Sequence, residues 1–407
     1  MTKTNIAETT PRARGLITSL GQSLLSLSFN FGGMLAGTLL AVYFGVFSLA
    51  PWTIALFPGI LSVRGAIGGL FSGHLSTGLH LGTVKASYTK NTKNFYLLLR
   101  SVVVLSLVSG IMIGLGASIF GLFLWKATII DFIRVLAVVI ATMGLSILFI
   151  PPITIAVSVL SFRRGLDPDV TVYPIISTVS DIIDTTCYIF ILNIFFTLAP
   201  FGHYLIGLLD CIFLFIVAYI LAKNLREKKF VETIKEFLLT LVFVTFIVNV
   251  TGSILVKVSD VIGNRSEIYL VYPALIDTVG DVGSIVGSTA TTNLALGVVK
   301  PSFSSIKQHT TALGGGWIAS MIMFTLYFII ASFMRRITTL NDLSKFAAQL
   351  LTTNILAVSA MVIIAYAVAI STYRRGLDPD NFVIPIESSL ADSITTISLF
   401  VALTVIA

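Results

Sequence analysis

The sequence predicts an all-α integral membrane protein of about 11 transmembrane helices, built as two parallel five-helix repeats joined by a linker helix, with a pseudo-two-fold axis along the membrane normal. Three observations predict it. Of 407 residues, 56% are hydrophobic and 11% charged, against about 45–50% and about 25% in a soluble domain. Apolar runs longer than about 18 residues recur, and within lipid only helices or closed barrels satisfy the backbone polar groups. These runs are too long for barrel strands. Finally, the chain matches itself twice in the same order, so the helices come in two sets.

One self-match is RRGLDPD, which occurs at 163–169 and again at 374–380. The other aligns PGILSVRGAIGGLFSGHLSTGLHLG (58–82) with PALIDTVGDVGSIVGSTATTNLALG (273–297). Their offsets are 211 and 215 residues.

From the N-terminus, a polar tail (1–15) with Lys3, Arg12 and Arg14 leads directly into a long apolar stretch. It lacks the short apolar core and cleavage site of a signal peptide, so the first span is expected to stay in the mature protein. The first repeat (16–199) has spans near 18–48, 52–84, 95–125, 129–162 and 168–198. A linker region (200–228) holds one more span, 201–223, and a basic loop. The second repeat (229–407) has spans near 231–258, 268–299, 304–333, 342–373 and 379–406.

An odd number of spans per repeat would invert one copy relative to the other. The linker helix restores the same orientation, and the basic residues agree with that topology. With the N-terminus cytoplasmic and the C-terminus outside, 18 Lys and Arg fall on the inner side and seven on the outer side, with Arg64 inside a span. Cytoplasmic loops are expected to hold that excess. Arg335 and Arg336 form the one pair that falls on the unexpected side.

Both RRGLDPD strings then lie on the inner face, between the fourth and fifth spans. Arginines near a helix C-terminus, a glycine stop, an aspartate cap and a proline in the next first turn make a helix-turn-helix corner. Beyond each corner the fifth span carries acids into the bilayer. Asp181 and Asp392 each lie twelve residues past the last aspartate of the string, roughly 18 Å along a helix rising about 1.5 Å per residue. That is near the middle of a hydrocarbon layer about 30 Å thick.

Ser177, Asp181 and Asp184 share a helix face by i, i+4, i+7 spacing, as do Ser388, Asp392 and Thr395. In the second spans, Asp277 and Asp281 share a face, opposite Ser62 and Ala66 of the first copy. Asn293 and Thr291–Thr292 lie further along, and the glycines and other small residues around them suit close helix packing. The acids at membrane depth are thus Asp181, Asp184, Asp277, Asp281, Glu387 and Asp392, against one basic residue, Arg64. Ionised groups at the bilayer centre cost at least about 2.5–3.5 kcal/mol each and require a partner or a watery cavity. Arg64 can pair with one acid; the others are either protonated or balanced by mobile cations.

A proton relay and a cation pathway both fit that imbalance. Paired carboxylates and hydroxyls suit a hard divalent ion, above all Mg²⁺, which keeps much of its water and needs one or two carboxylates. Thiolate and imidazole clusters for softer metals are absent. Cys187 and Cys211 read as packing residues, while His74 and His80, six apart, do not share a helix face. Other readings remain open. Na⁺- or H⁺-coupled transport of a small organic solute would use the same acids. A membrane-embedded enzyme would use paired aspartates, without any G-x-S-x-G or H-E-x-x-H motif. No stripe for nucleic acid is present; the expected partners are the lipid bilayer and divalent ions.

The second-span segment (a proline, a glycine seven residues on, a small-residue face and a closing L-x-L-G or A-L-G) and the GLDPD…P…S-x-x-x-D series of the fifth span resemble the membrane domain of MgtE-type magnesium channels and transporters. The two-repeat magnesium solute carriers are particularly similar. The resemblance implies a pore on the axis between the repeats, lined by second and fifth helices, and Mg²⁺ as the transported ion; other divalent cations, and Na⁺ as a coupling ion, stay open beside it. It carries the family's central metal aspartate to Asp181 and Asp392, and the acidic position after the second-helix glycine to Asp281. Ala66 holds that position in the first copy, which implies an asymmetric site. Asp184, Asp277, Ser177, Ser388 and Thr395 complete the expected metal set, acting directly or through water. The cytoplasmic magnesium-sensing domains of homodimeric members have no counterpart in this sequence, and a monomeric pseudo-dimer is the expected working unit.

Overall fold

Proline and capping residues set many of the helix boundaries in the computed structural model, which describes residues 11–88, 90–164, 168–263, 265–295, 300–303, 305–306, 310–375 and 379–406. The described chain is helical and contains no strand. α1 (Pro11–Leu27), a 3₁₀ turn (Ser28–Gly32), α2 (Gly33–Val42) and α3 (Phe44–Phe47) form the first span and its end. α4 (Pro51–His80), α5 (Lys93–Leu124), α6 (Ile129–Ser146), α7 (Ile150–Arg163) and α8 (Pro168–Thr197) complete the first half. α9 (Phe201–Asn224) is the linker. α10 (Lys228–Ile262), α11 (Ser266–Ala295), α12 (Thr310–Met334), α13 (Leu340–Arg374) and α14 (Pro379–Val405) form the second half.

Among the described residues there are 11 segments long and apolar enough to cross a membrane, the number the sequence predicts. Pro51, Pro168 and Pro379 sit in the first turns of α4, α8 and α14, where a missing N–H is harmless. Thr92 caps α5, and Thr128 forms a reciprocal capping box with Asp131 at the start of α6.

Two spans expected to be single helices are broken. The fourth stops at Ser146 and restarts at Ile150, where Pro151 and Pro152 occupy the new first turn; neither ring fits a helix interior. Its counterpart α13 has no proline pair and runs unbroken for 35 residues. The first span is interrupted by the 3₁₀ turn, whereas its counterpart α10 is continuous.

Helix packing crosses between the halves. α4 packs on α5 and α8, and α11 on α12 and α14, within their own halves. The leading helices instead reach across: α1 lies on α12 and α2 on α11, while α10 lies on α4, α5 and α14. Glycine makes both crossings possible. A Cβ on Gly37 would come within 2.0 Å of the Leu270 carbonyl oxygen, and one on Gly252 within 1.9 Å of that of Ala55. Gly252 and Leu270 stand 215 residues beyond Gly37 and Ala55, the offset of the second-span repeat. In lipid, where apolar burial between helices gains little, such backbone approach is a main source of helix association.

The corners behave similarly. Residues 165–167 and 376–378, the expected glycine stops and aspartate caps, lie outside the described residues. Arg163 and Arg374 do occupy the last turns of α7 and α13. Their guanidinium groups reach another loop: Arg163 donates to the Ala86 carbonyl at 2.6 and 2.9 Å, and Arg374 to the Pro301 carbonyl at 2.7 Å. Of the two cysteines, Cys187 is buried as expected, but Cys211 is exposed. It lies on α9, most of whose surface is uncovered by protein.

Candidate functional site

Three helices bring the acids together. Asp181 (α8) and Asp392 (α14) are 7% and 6% exposed. Asp277 (α11) is half-buried. The Asp181 and Asp277 carboxyl groups are within hydrogen-bonding reach of one another, and Asp392 is close enough to interact electrostatically with Asp277. Asp181 also interacts electrostatically with Asp392, so the three acids, drawn from both halves, form one electrostatic group. Close packing admits it: a Cβ on Gly33 of α2 would lie 3.0 Å from Asp277 Oδ2.

Asp281, one turn further along α11, faces the first span. The Asn30 amide donates to its Oδ2 at 2.9 Å and approaches Thr278 Oγ1 at 3.4 Å. Thr278 also bonds Tyr327 of α12 at 2.8 Å. On the other side of the 3₁₀ turn, Thr178 of α8 donates to the Phe29 carbonyl at 3.1 Å. Asn30 was absent from the residues expected from sequence. Its signal was available, an amide deep in an apolar span, two residues before the pair Gly32 and Gly33.

Asp184 is placed elsewhere. Three residues past Asp181, it is turned by about 60° around the helix and lies 3.6 Å from Arg64 Nε, with both side chains enclosed. Arg64 also donates to Ser106 Oγ at 2.7 Å and to the Met143 carbonyl at 3.1 Å. The pairing anticipated for Arg64 is therefore with Asp184, whose charge is met inside the protein. Ser177 and Ser388 are half-buried on the same helices as Asp181 and Asp392. Thr395 is fully buried and its hydroxyl has no partner. The Asn293, Thr291, Thr292 and His80 side chains lie outside the described residues.

Two other buried acids stand apart. Both Glu387 carboxyl oxygens and Asp210 Oδ1, on the linker helix, lack hydrogen-bond partners. Among the described residues no three acidic, histidine or cysteine side chains converge closely enough to cage a bare ion. An ion held here would therefore complete its shell with water, hydroxyl or backbone oxygens.

Cavities open at opposite ends of α10. One, of about 340 Å³, lies between the α3–α4 turn and the end of α10, with Ser48, Ser259 and Asp260 in its wall. The other, of about 150 Å³, lies where α4 ends and α5 and α10 begin, and includes His74, Asn94 and Lys229. Thr251 of α10 bonds Ser393, next to Asp392, so the aspartates lie at a level of α10 between the two cavities. None of the expected site residues lines either one.

No curated protein and no solved structure matches this chain. A family profile does match, over residues 57–191 and 272–402. The two matches cover about two thirds of the sequence and carry the offsets of the internal repeat, 215 at their starts and 211 at their ends. That family consists of transporters rather than enzymes, and the chain belongs to it: the MgtE family of divalent cation transporters.

Proposed function

We propose that the chain conducts Mg²⁺ across the membrane through a path between its two halves, with Asp181, Asp277 and Asp392 as the central ligands. One observation carries the reading. Carboxylates on three helices lie near enough at mid-span to interact electrostatically, Asp181 with both Asp277 and Asp392, while the arginine at that depth, Arg64, is already paired with Asp184. Uncompensated charges there are costly, and a divalent ion offsets them. The donor set favours Mg²⁺, which retains water and takes few carboxylates; a softer metal would want thiolate or imidazole. Asp281, Ser177, Ser388 and Thr395 act on the ion's water shell, and Asp184 acts through Arg64.

In this reading the halves are parallel and related by an axis along the membrane normal. The N-terminus is cytoplasmic, and a single chain supplies both walls of the path. We assign the cavities at the two ends of α10, which flank the level of the aspartates, as its vestibules. Proteoliposomes loaded with a Mg²⁺ indicator test it. Wild-type protein should admit Mg²⁺, while Asp181→Asn and Asp392→Asn should stop the flux in protein that still elutes as a folded species. Unchanged flux in both variants would remove the site. Imposing Na⁺ or pH gradients in the same vesicles separates a channel from an exchanger.

A further inference from the structure

The first span enters the ion site at its own break. The 3₁₀ turn occupies the middle of the segment Ser19–Val42, wedged between α8 and α11. Glycine suits that fit: a Cβ on Gly32 would fall 1.9 Å from Thr178 Cγ2 of α8, and one on Gly33 3.0 Å from the Ala274 backbone of α11. The turn therefore touches both helices that carry Asp181, Asp277 and Asp281. At its centre the 5% exposed Asn30 directs its amide to Asp281 Oδ2.

We propose that Asn30 is a positioning residue for the transported cation, holding Asp281 in place with a neutral donor so that the carboxylate keeps its charge for the ion. The contrast lies within the same protein. Asp184 faces a guanidinium at 3.6 Å, an ion pair that cancels its charge without a hydrogen bond. Asp281 is held by a carboxamide, which orients it and cancels nothing. An acid that must attract a cation needs the second arrangement, and a partner that fixes a metal-binding group commonly governs affinity as strongly as a ligand does. The second half shows that this is specific to one side: 215 residues on from Asn30 stands Thr245, and opposite it in α4 Asp281 is replaced by Ala66. Amide and acid are present together or absent together.

The inference rests on the proposed ion site, and the test separates the two. Mg²⁺ uptake into proteoliposomes is measured against Mg²⁺ concentration for Asn30→Leu, which nearly keeps the side chain's shape without its donor, for Asp281→Asn, for the double variant and for Asp181→Asn. Asn30→Leu should raise KM about tenfold with little change in maximal rate, and should add nothing further in the Asp281→Asn background. An unchanged KM in Asn30→Leu, or an equal increase with and without Asp281, would overturn the positioning role. Normal uptake by Asp181→Asn would instead remove the site itself.

Discussion

Arg64 Nε lies 3.6 Å from Asp184 Oδ1, with neither side chain reaching solvent. Deleting one member of a buried pair leaves a stranded charge, at a cost of about 3–5 kcal/mol. Arg64→Met should therefore lower the melting temperature in detergent sharply. At the repeat offsets the same two positions in the second half hold Val279 and Thr395, both fully buried. The double variant Arg64→Val/Asp184→Thr copies that arrangement and should recover much of the stability lost by Arg64→Met. A double variant no more stable than the single would show that the pair does more than neutralise itself.

Asp277 of the second half interacts with both fifth-helix aspartates, Asp181 of the first half and Asp392 of its own. Asp277→Asn should cut Mg²⁺ flux as severely as either fifth-helix substitution, whereas Ser62→Ala, at the matching place in the first half, should leave a folded protein with flux within about threefold of wild type, a loss smaller than that caused by removing an outer partner of a metal site. Indicator-loaded proteoliposomes measure both. Comparable losses from Asp277→Asn and Ser62→Ala would mean that the site is symmetric after all.

The number of spans, their order and the repeat register were legible because each leaves a one-dimensional mark: apolar length, a repeated string, a constant offset. The placement of Asp181 and Asp392 midway along α8 and α14 was legible for the same reason, as charges counted from a corner. The contact of Asn30 with Asp281 and the different surroundings of Asp181 and Asp184 were not. Asp181 and Asp184 share one polar stripe in sequence, but a step of three residues turns the second toward Arg64 on α4. Asn30 reaches Asp281 across 251 residues through a crossing of the halves, which periodicity within a single span does not reveal. Its traces were the glycines around it, meaningful only once α8 and α11 are known to lie on either side.

The crossing itself is testable. Gly37→Leu and Gly252→Leu each drive a side chain into a backbone carbonyl of the opposite half, a neighbour that cannot swing away, and overpacking of this kind costs about 1–3 kcal/mol or more. Both variants should show lower yield and an earlier thermal transition. Gly45→Ala meets nothing within 4 Å and should match the wild type. If Gly37→Leu and Gly252→Leu were as stable as Gly45→Ala, the leading helices would not be packed across the halves as described.

The paired arginines of the repeated string give a last prediction. Arg163 holds the loop after α4 by the Ala86 carbonyl and lies over the Tyr88 ring at 5.4 Å; Arg374 holds the loop after α11 by the Pro301 carbonyl. All four positions obey the repeat offsets, so one contact has been kept twice although only the arginines, and not their partners, are identical. The hydrogen bonds are exposed, and each contributes only about 1–2 kcal/mol, too little to decide folding. They can decide whether the loop is open to a protease. Arg163→Gln should leave the melting temperature almost unchanged while speeding tryptic cleavage at Lys85 and Lys90, followed as fragments on a gel. Arg164→Gln, one residue along and exposed, should not alter the rate at those lysines. Equal cleavage in both variants would show that the corner's arginines do not hold the loop.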